Sequence, residues 1–217
     1  MKLFTFWQSG SCYRVRIVLN LKNVAYEPVF VRGGRGSQDL RKPEYLKLNP
    51  QGIVPTLVDG DRVFVQSTAM MEYLEETRPD PALLPKDPAD RARVRALAQT
   101  VVSDIHPLIT ARVIEHLEGT LGLDEERRTT WLRHWNERGL RALEKMLTDD
   151  ARTGSYCHGE RPTLADACLI PHVFTATRFG CDLTPFATIN RIYAHCLKHS
   201  AFQQAAPANQ PDAPKNA

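Results

Sequence analysis

Apolar and polar positions near the start of the chain change from strand-like to helix-like spacing. Residues 2–7 form a short apolar run typical of a buried strand. Residues 11–22 then place valine and leucine at helical intervals, with Arg14 and Arg16 on the polar face. The pattern therefore predicts a strand followed by an amphipathic helix.

The pattern continues as a small α/β unit. Residues 25–31 predict a second strand, in which Pro28 indicates an edge position. A short helix ends at "LNPQG", the runs "PTLVD" and "RVFVQ" flank a "GD" turn typical of a hairpin, and "STAMMEYLEE" predicts a helix that begins near Ser67. The order over residues 1–80 is β-α-β-α-β-β-α, which predicts a thioredoxin-like domain.

The rest of the chain has helical spacing only. Four prolines in "RPDPALLPKDPAD" indicate a linker, which we place at residues 81–88. Residues 89–204 predict an all-helical bundle domain. Its first helix spans residue 89 to about residue 121 and is bent at Pro107. The low-complexity tail, residues 205–217, is expected to be disordered.

Local signals mark several ends of these helices. A second helix is predicted after Asp124, and Thr163 with Asp166 has the spacing of a capping box. Gly180 is suited to end that helix, and Pro185 is expected in the first turn of a last helix.

Composition narrows the function classes. The 217 residues are 42% hydrophobic and 24% charged, and the net charge of +3 argues against a general nucleic-acid surface. No apolar run has the length of a membrane span, and "MKLFTFWQSGSC" is a poor signal peptide, so we expect a cytoplasmic protein. The five cysteines show no C-x-x-C spacing, which suggests neither a disulfide framework nor a metal site.

Three short segments of the α/β unit carry candidate chemistry. In "SGSCYRVR", hydroxyl groups and Cys12 lie where a helix begins, a place that favours a thiolate but also needs an ordinary cap. A cis Val54–Pro55 bond would offer backbone groups to an extended peptide. Gln66 and Ser67 lie at a helix N-terminus, which favours an anion. Together they suit a peptide with a carboxylate at one end and a thiolate at the other, which describes glutathione.

Longer motifs carry a family resemblance from residue 1 to about residue 207. The segments "SGSCYRVRIVLNLK", "LNPQGIVPTLVDG", "VQSTAMMEYLEE", "DIHPLITARVIEHL" and "PTLADACLIPHVFTATRFG" resemble the zeta-class glutathione transferases, and among them the bacterial maleylacetoacetate and maleylpyruvate isomerases. The resemblance implies the glutathione transferase fold, α/β plus all-α, with glutathione as the cofactor and a homodimer as the assembly.

The resemblance also implies roles for matching positions. The residues expected to hold the thiolate or line its pocket are Ser9, Ser11 and Cys12. Those expected to bind glutathione are Gln51, Val54, Pro55, Gln66, Ser67 and, towards a neighbouring subunit, Asp104 and His106. An alternative role for His106 is a structural one in the helix bend beside Pro107. Those expected to bind the carboxylates of a dicarboxylate substrate are Arg112, Arg178 and Gln8.

The activity that the resemblance implies is glutathione-dependent cis–trans isomerisation of maleylacetoacetate or a relative such as maleylpyruvate, in the catabolism of tyrosine and phenylalanine or of gentisate. Gln8 stands where some maleylpyruvate isomerases carry arginine, which favours maleylacetoacetate. Three alternatives stay open: a transferase or dehalogenase acting on small halo-acids, thiol–disulfide chemistry through Cys12, and a non-catalytic scaffold.

Overall fold

The computed structural model describes residues 1–215 and divides into two compact units. The first unit contains Met1–Ala82 and the described chain from His199 on, and the second is Leu83–Lys198. Leu83 and Leu84, which we assigned to the linker, are buried within the second unit. The C-terminal stretch therefore belongs with the α/β unit, although it follows the helical unit in sequence.

A four-stranded sheet forms the centre of the first unit. Its strands are β1 (Lys2–Thr5), β2 (Glu27–Phe30), β3 (Thr56–Asp59) and β4 (Arg62–Val65). The order is β2-β1-β3-β4, with β1 parallel to β2 and the other pairs antiparallel. The hairpin is confirmed, and Pro28 lies on the edge strand as predicted, where its missing N–H removes no central ladder bond.

Helices α1 (Gly10–Leu21), α2 (Pro43–Leu48) and α3 (Ser67–Thr77) complete the thioredoxin-like order, which confirms the predicted fold of this unit. The polar face expected for α1 is wrong in part, because Arg14 and Arg16 are almost completely buried. Lys22, just after α1, is buried as well. Its Nζ forms an ion pair with Glu75 at 2.7 Å and donates to the carbonyl oxygen of Arg78 at 2.7 Å. Charged groups thus join α1 to its neighbours inside the unit.

The second unit is helical, as predicted. Its helices are α4 (Pro88–Gln99), α5 (Ala111–Gly119), α6 (Glu125–Thr148), α7 (Leu164–Arg178) and α8 (Ala187–Cys196). Asp124 caps α6, and Thr163 with Asp166 forms the predicted capping box of α7. Gly180 follows α7 with φ +69°, the left-handed conformation that glycine adopts without a Cβ penalty.

Two helix predictions for this unit are wrong in detail. The helix expected from residue 89 to residue 121 is interrupted by a π-helical segment, Thr100–Ile105, and a 3₁₀ segment, His106–Ile109. Pro107 lacks an N–H donor and opposes a regular helix, so the chain breaks rather than bends. Pro185 precedes α8 instead of lying in its first turn, and α8 is not the last helix.

The expected disordered tail is also wrong for the residues that the structure describes. Helix α9 (Ser200–Ala205) is followed by a 3₁₀ turn, Pro207–Asn209, and both Ala205 and Pro207 are buried. Residues 216 and 217 of the tail prediction lie outside the described residues. Across residues 1–215, no helix combines the length and the apolar character needed to span a bilayer.

Candidate active site

The N-terminus of α1 carries the first group of candidate residues. Ser9 is the N-cap, and its Oγ accepts the backbone N–H of Cys12 at 3.2 Å. Ser9 and Ser11 are half-buried, whereas Cys12 is completely buried. The cap explanation for "SGSC" is therefore correct for Ser9, yet its hydroxyl hydrogen stays available to donate to a further acceptor.

A buried polar cluster shapes the turn before β3. Asn49 donates through Nδ2 to the carbonyl oxygen of Ile53 at 2.8 Å and to Thr56 Oγ1 at 3.2 Å, and its Oδ1 accepts the N–H of Gln51 at 3.1 Å. The Tyr45 hydroxyl donates to the same Ile53 oxygen at 2.7 Å. Burial raises the pKa of Tyr45 to about 12, so it stays a neutral donor at neutral pH. Sequence reasoning missed this cluster, although an asparagine before Pro-Gln-Gly is a recognisable turn former.

Val54 lies at the end of that turn, one residue before the cis proline Pro55. The ladder of β3 begins only at Thr56. No hydrogen bond of the Val54 backbone N–H or C=O occurs within the described part of the chain. Because Val54 is only half-buried, these two groups are positioned to pair with an extended peptide.

The start of α3 carries the third group of candidates. Gln66 is the N-cap and has φ +69°, which is rare for a residue with a side chain. Its Nε2 donates to Gln51 Oε1 at 2.7 Å, so the structure brings these two expected ligands together. Ser67 is the first residue of the helix rather than its cap, and its Oγ accepts from Arg14 Nη1 at 3.4 Å. Ser67 is therefore not an ordinary N-cap.

Both helix N-termini are suited to anions. The first turns of α1 and α3, which are fully described, carry no acidic side chain. The N–H groups of these turns and the helix macrodipole therefore meet no competing negative charge from the helix itself. The first unit can thus hold two separate anionic groups, one at each helix start.

The cysteines other than Cys12 show no features of reactive thiols. No disulfide forms among the five cysteines of the described chain, and all are buried. Burial raises the pKa of Cys181 to about 11 and holds the pKa values of Cys157 and Cys196 far above their usual range. Because only the thiolate is a good nucleophile, these three thiols are inert.

Gln8 is half-buried in the loop between β1 and α1 of the first unit, and the second unit holds the other remaining candidates. Asp104 is exposed in the π-helical segment, and His106 begins the 3₁₀ segment beside Pro107. Arg112 is exposed in the first turn of α5. Arg178 ends α7, and its guanidinium lies over the ring of Phe179, 4.9 Å from the ring centroid.

Desolvation lowers the pKa of Arg178, although the residue as a whole is exposed, and the group remains charged at neutral pH.

Comparison with known proteins agrees with this geometry. Residues 3–82 match the family model described as glutathione S-transferase, N-terminal domain. The fold, the two helix N-termini and this match define a glutathione transferase.

Full-length relatives narrow the class. The chain is 47% identical over 212 residues to a maleylpyruvate isomerase of Ralstonia sp, covering 98% of this chain and 99% of that protein. A solved holo maleyl pyruvate isomerase, described as a zeta-class bacterial glutathione transferase, is 46% identical with a TM-score of 0.96, and 99% and 100% of the two chains are covered. A maleylacetoacetate isomerase of Methylobacterium extorquens AM1, solved with malonate and glutathione, is 43% identical with a TM-score of 0.94 and the same coverage. The chain belongs to the zeta-class glutathione transferases, the family of the maleylpyruvate and maleylacetoacetate isomerases.

Proposed function

We propose that the chain is a glutathione-dependent cis–trans isomerase acting on maleylacetoacetate or a close relative such as maleylpyruvate, in the catabolism of aromatic compounds. The observation that carries the proposal is the single compact unit that presents two helix N-termini and the unpaired backbone of Val54. The relatives reported above, with their names and bound malonate and glutathione, support the same activity.

The first unit offers a suitable group for each part of glutathione, from the γ-glutamyl carboxylate to the cysteinyl sulfur. The α-carboxylate of the γ-glutamyl residue suits the start of α3, where Gln66 and Ser67 add side-chain groups to the free amides. The cysteinyl residue suits the N–H and C=O of Val54. The sulfur then falls to the start of α1, with Ser9 and Ser11.

Bound glutathione supplies a thiolate that adds to the conjugated double bond and leaves again, so that the bond rotates in between. The Ser9 oxygen already accepts the N–H of Cys12, which orients its O–H hydrogen away from the helix. A hydrogen bond from Ser9 or Ser11, together with the positive end of α1, favours the charged sulfur and lowers the thiol pKa.

The substrate carboxylates are assigned to residues that favour anions. Arg112 lies in the first turn of α5, where free amides add to its guanidinium charge. Arg178 lies at the end of α7, where the helix dipole stabilises a cation and the Phe179 ring restricts the guanidinium. Gln8 supplies amide hydrogen bonds but no charge, which favours maleylacetoacetate over maleylpyruvate.

The rival functions fare differently. Complete burial of Cys12, and the absence of C-x-x-C spacing among the cysteines, weigh against redox chemistry through this residue. A transferase acting on halo-acids would use the same thiolate and stays open, since only the leaving group differs. The homodimer, with Asp104 and His106 reaching the partner's glutathione, and the cytoplasmic location stay predictions.

An absorbance assay tests the proposed function. Maleylacetoacetate and maleylpyruvate are supplied side by side, each with glutathione and with S-methylglutathione. We expect isomerisation only with free glutathione, faster for maleylacetoacetate. Failure to convert either substrate, with halo-acids consumed instead, would contradict the isomerase assignment.

Substitution of Arg178 tests the carboxylate site. Arg178→Ala is expected to lower kcat about 100-fold, as for loss of one preorganised charge-stabilising donor, and to leave the calorimetric Kd for glutathione unchanged. Arg141→Ala, at an exposed arginine of α6 in the same unit, is the matched control. Equal turnover of the two variants would remove Arg178 from the site.

A further inference from the structure

The C-terminal tail reaches the loop that carries the thiolate-binding serine. Asp212 Oδ2 accepts the backbone N–H of Trp7 at 2.9 Å, although 205 positions separate them in sequence. The other carboxylate oxygen of Asp212 is buried and has no hydrogen-bond partner among residues 1–215. Trp7 is two residues before Ser9, so the tail contacts the site loop directly.

Arg16 binds the carbonyl oxygens of the two peptide groups on either side of the Trp7 Cα. Its Nη2 donates to the Trp7 carbonyl oxygen at 3.1 Å, and Nη1 donates to the Phe6 carbonyl oxygen at 3.3 Å. Its Nε donates to the Ala205 carbonyl oxygen at 3.0 Å, at the end of α9. Arg16 is completely buried. Burial lowers the pKa of Arg16, and the negative charge of Asp212 is among the groups that oppose this shift.

The loop between β1 and α1 is too short to absorb a displacement. It consists of residues 6–9, and the N–H of Ser9 donates back to the Phe6 carbonyl oxygen at 3.1 Å. The orientation of the Trp7 peptide therefore sets the direction in which Gln8 and Ser9 leave it. Hydrogen bonds from Arg16 of α1 and to Asp212 of the tail therefore fix the backbone of Trp7 at both its N–H and its C=O.

We propose that Asp212 is a positioning residue of the active site: with Arg16 it clamps the Trp7 peptide and so fixes Ser9 against the glutathione sulfur and Gln8 towards the substrate. This proposal rests on the function proposed above. It assigns a role to a segment that its composition alone would leave as a disordered appendage.

The test measures the pKa of the bound glutathione thiol from the ultraviolet absorbance of the thiolate against pH, with the protein-only signal subtracted. In Asp212→Ala the thiol pKa is expected to rise and kcat to fall about tenfold, since small displacements of catalytic groups have large rate effects. Asp212→Asn keeps an oxygen acceptor for the Trp7 N–H and is expected to stay within about threefold of wild type. A merely structural role would not move the thiol pKa of the folded protein.

Two truncations complete the test. Removal of residues 211–217 is expected to reproduce Asp212→Ala, and removal of residues 214–217 is expected to match wild type. The longer truncation begins after the last helix, so it provides a second measurement if Asp212→Ala does not fold.

Two results would overturn the proposal: a wild-type thiol pKa in both Asp212→Ala and the longer truncation, or equal losses in Asp212→Ala and Asp212→Asn. A wild-type protein that binds glutathione but isomerises neither substrate would contradict the proposed function instead, while the thiol pKa comparison would still test Asp212.

Discussion

Replacement of Asn49 by alanine is the sharpest test of how the fold supports the site. The side chain makes three hydrogen bonds, to Gln51, Ile53 and Thr56, and is completely buried. In Asn49→Ala, the Tyr45 hydroxyl still forms hydrogen bonds with the Ile53 carbonyl oxygen and with Thr56 Oγ1, whereas the N–H of Gln51 loses its side-chain acceptor.

The expected loss of stability follows from these contacts. Each net hydrogen bond contributes about 1 kcal/mol, so three bonds set a limit of about 3 kcal/mol, and the bonds that Tyr45 retains reduce it to about 2 kcal/mol. Gln51 also becomes free to move away from Gln66. A loss of about 1 kcal/mol of preorganisation weakens glutathione binding about fivefold.

Urea unfolding measures the first effect and titration calorimetry with glutathione measures the second. Asn209→Ala, which removes one exposed hydrogen bond from the same unit, is the control and is expected to stay within about 0.5 kcal/mol of wild type. If Asn49→Ala matched that control in both stability and glutathione affinity, the cluster would not support the site as described.

Two further predictions concern charged groups within each unit. Glu75→Ala removes the carboxylate that lies 2.7 Å from buried Lys22 and is expected to lower the free energy of unfolding, measured with urea, by about 3–5 kcal/mol. The double variant Lys22→Met with Glu75→Leu is expected to recover part of this loss. A loss below about 1 kcal/mol for Glu75→Ala would contradict burial of the pair. Hydrogen bonds from arginines hold the pKa of Asp150 well below its usual range, so its contribution is complete above the ordinary aspartate pKa of about 3.9 and is lost as the pH falls towards the lowered value. Asp150→Asn is therefore expected to lower the urea midpoint most at pH 7 and by a smaller amount at pH 3, where the loss of the contribution has begun, whereas Asp149→Asn, at an exposed residue, should differ little at either pH. A difference for Asp150→Asn that grew towards pH 3 would refute the sign.

Short-range patterns predicted the elements that position the site. The strand and helix runs of residues 1–80, the "GD" turn and the capping box depend on residues close together in sequence, and these elements appear where expected. The interruption after Gln99 was harder to predict. Helical periodicity continues through residues 100–109, and only the backbone shows where the hydrogen-bond pattern changes.

Contacts between distant segments could not be predicted from the sequence. Arg16 has the spacing of a solvent-facing residue of α1, yet carbonyl oxygens from the site loop and from α9 surround its guanidinium. Asp212 lies in a segment rich in proline and alanine, where composition indicates disorder. Only the tertiary fold brings Arg16 to the Ala205 carbonyl oxygen and Asp212 to the Trp7 N–H, because about 190 and 205 residues, respectively, separate these partners along the chain.

The same long-range view changes the role of Cys12. From the sequence it is the obvious reactive atom at the start of α1. The structure buries its side chain, while Ser9 and Ser11 remain half-exposed at the same helix start. The reactive sulfur is therefore assigned to glutathione, with the protein supplying the groups that keep it charged.

The most direct test of that assignment is isomerase turnover of wild type and Cys12→Ala, each with glutathione, with S-methylglutathione and with neither. Both proteins are expected to require free glutathione. Cys12→Ala is expected to keep at least about a tenth of the wild-type kcat, because removal of a side chain that only lies beside the reacting sulfur should raise the activation free energy by less than the 1.36 kcal/mol that corresponds to a tenfold change in rate. Turnover by wild type without glutathione, or complete loss of turnover in a folded Cys12→Ala protein, would contradict the borrowed thiolate.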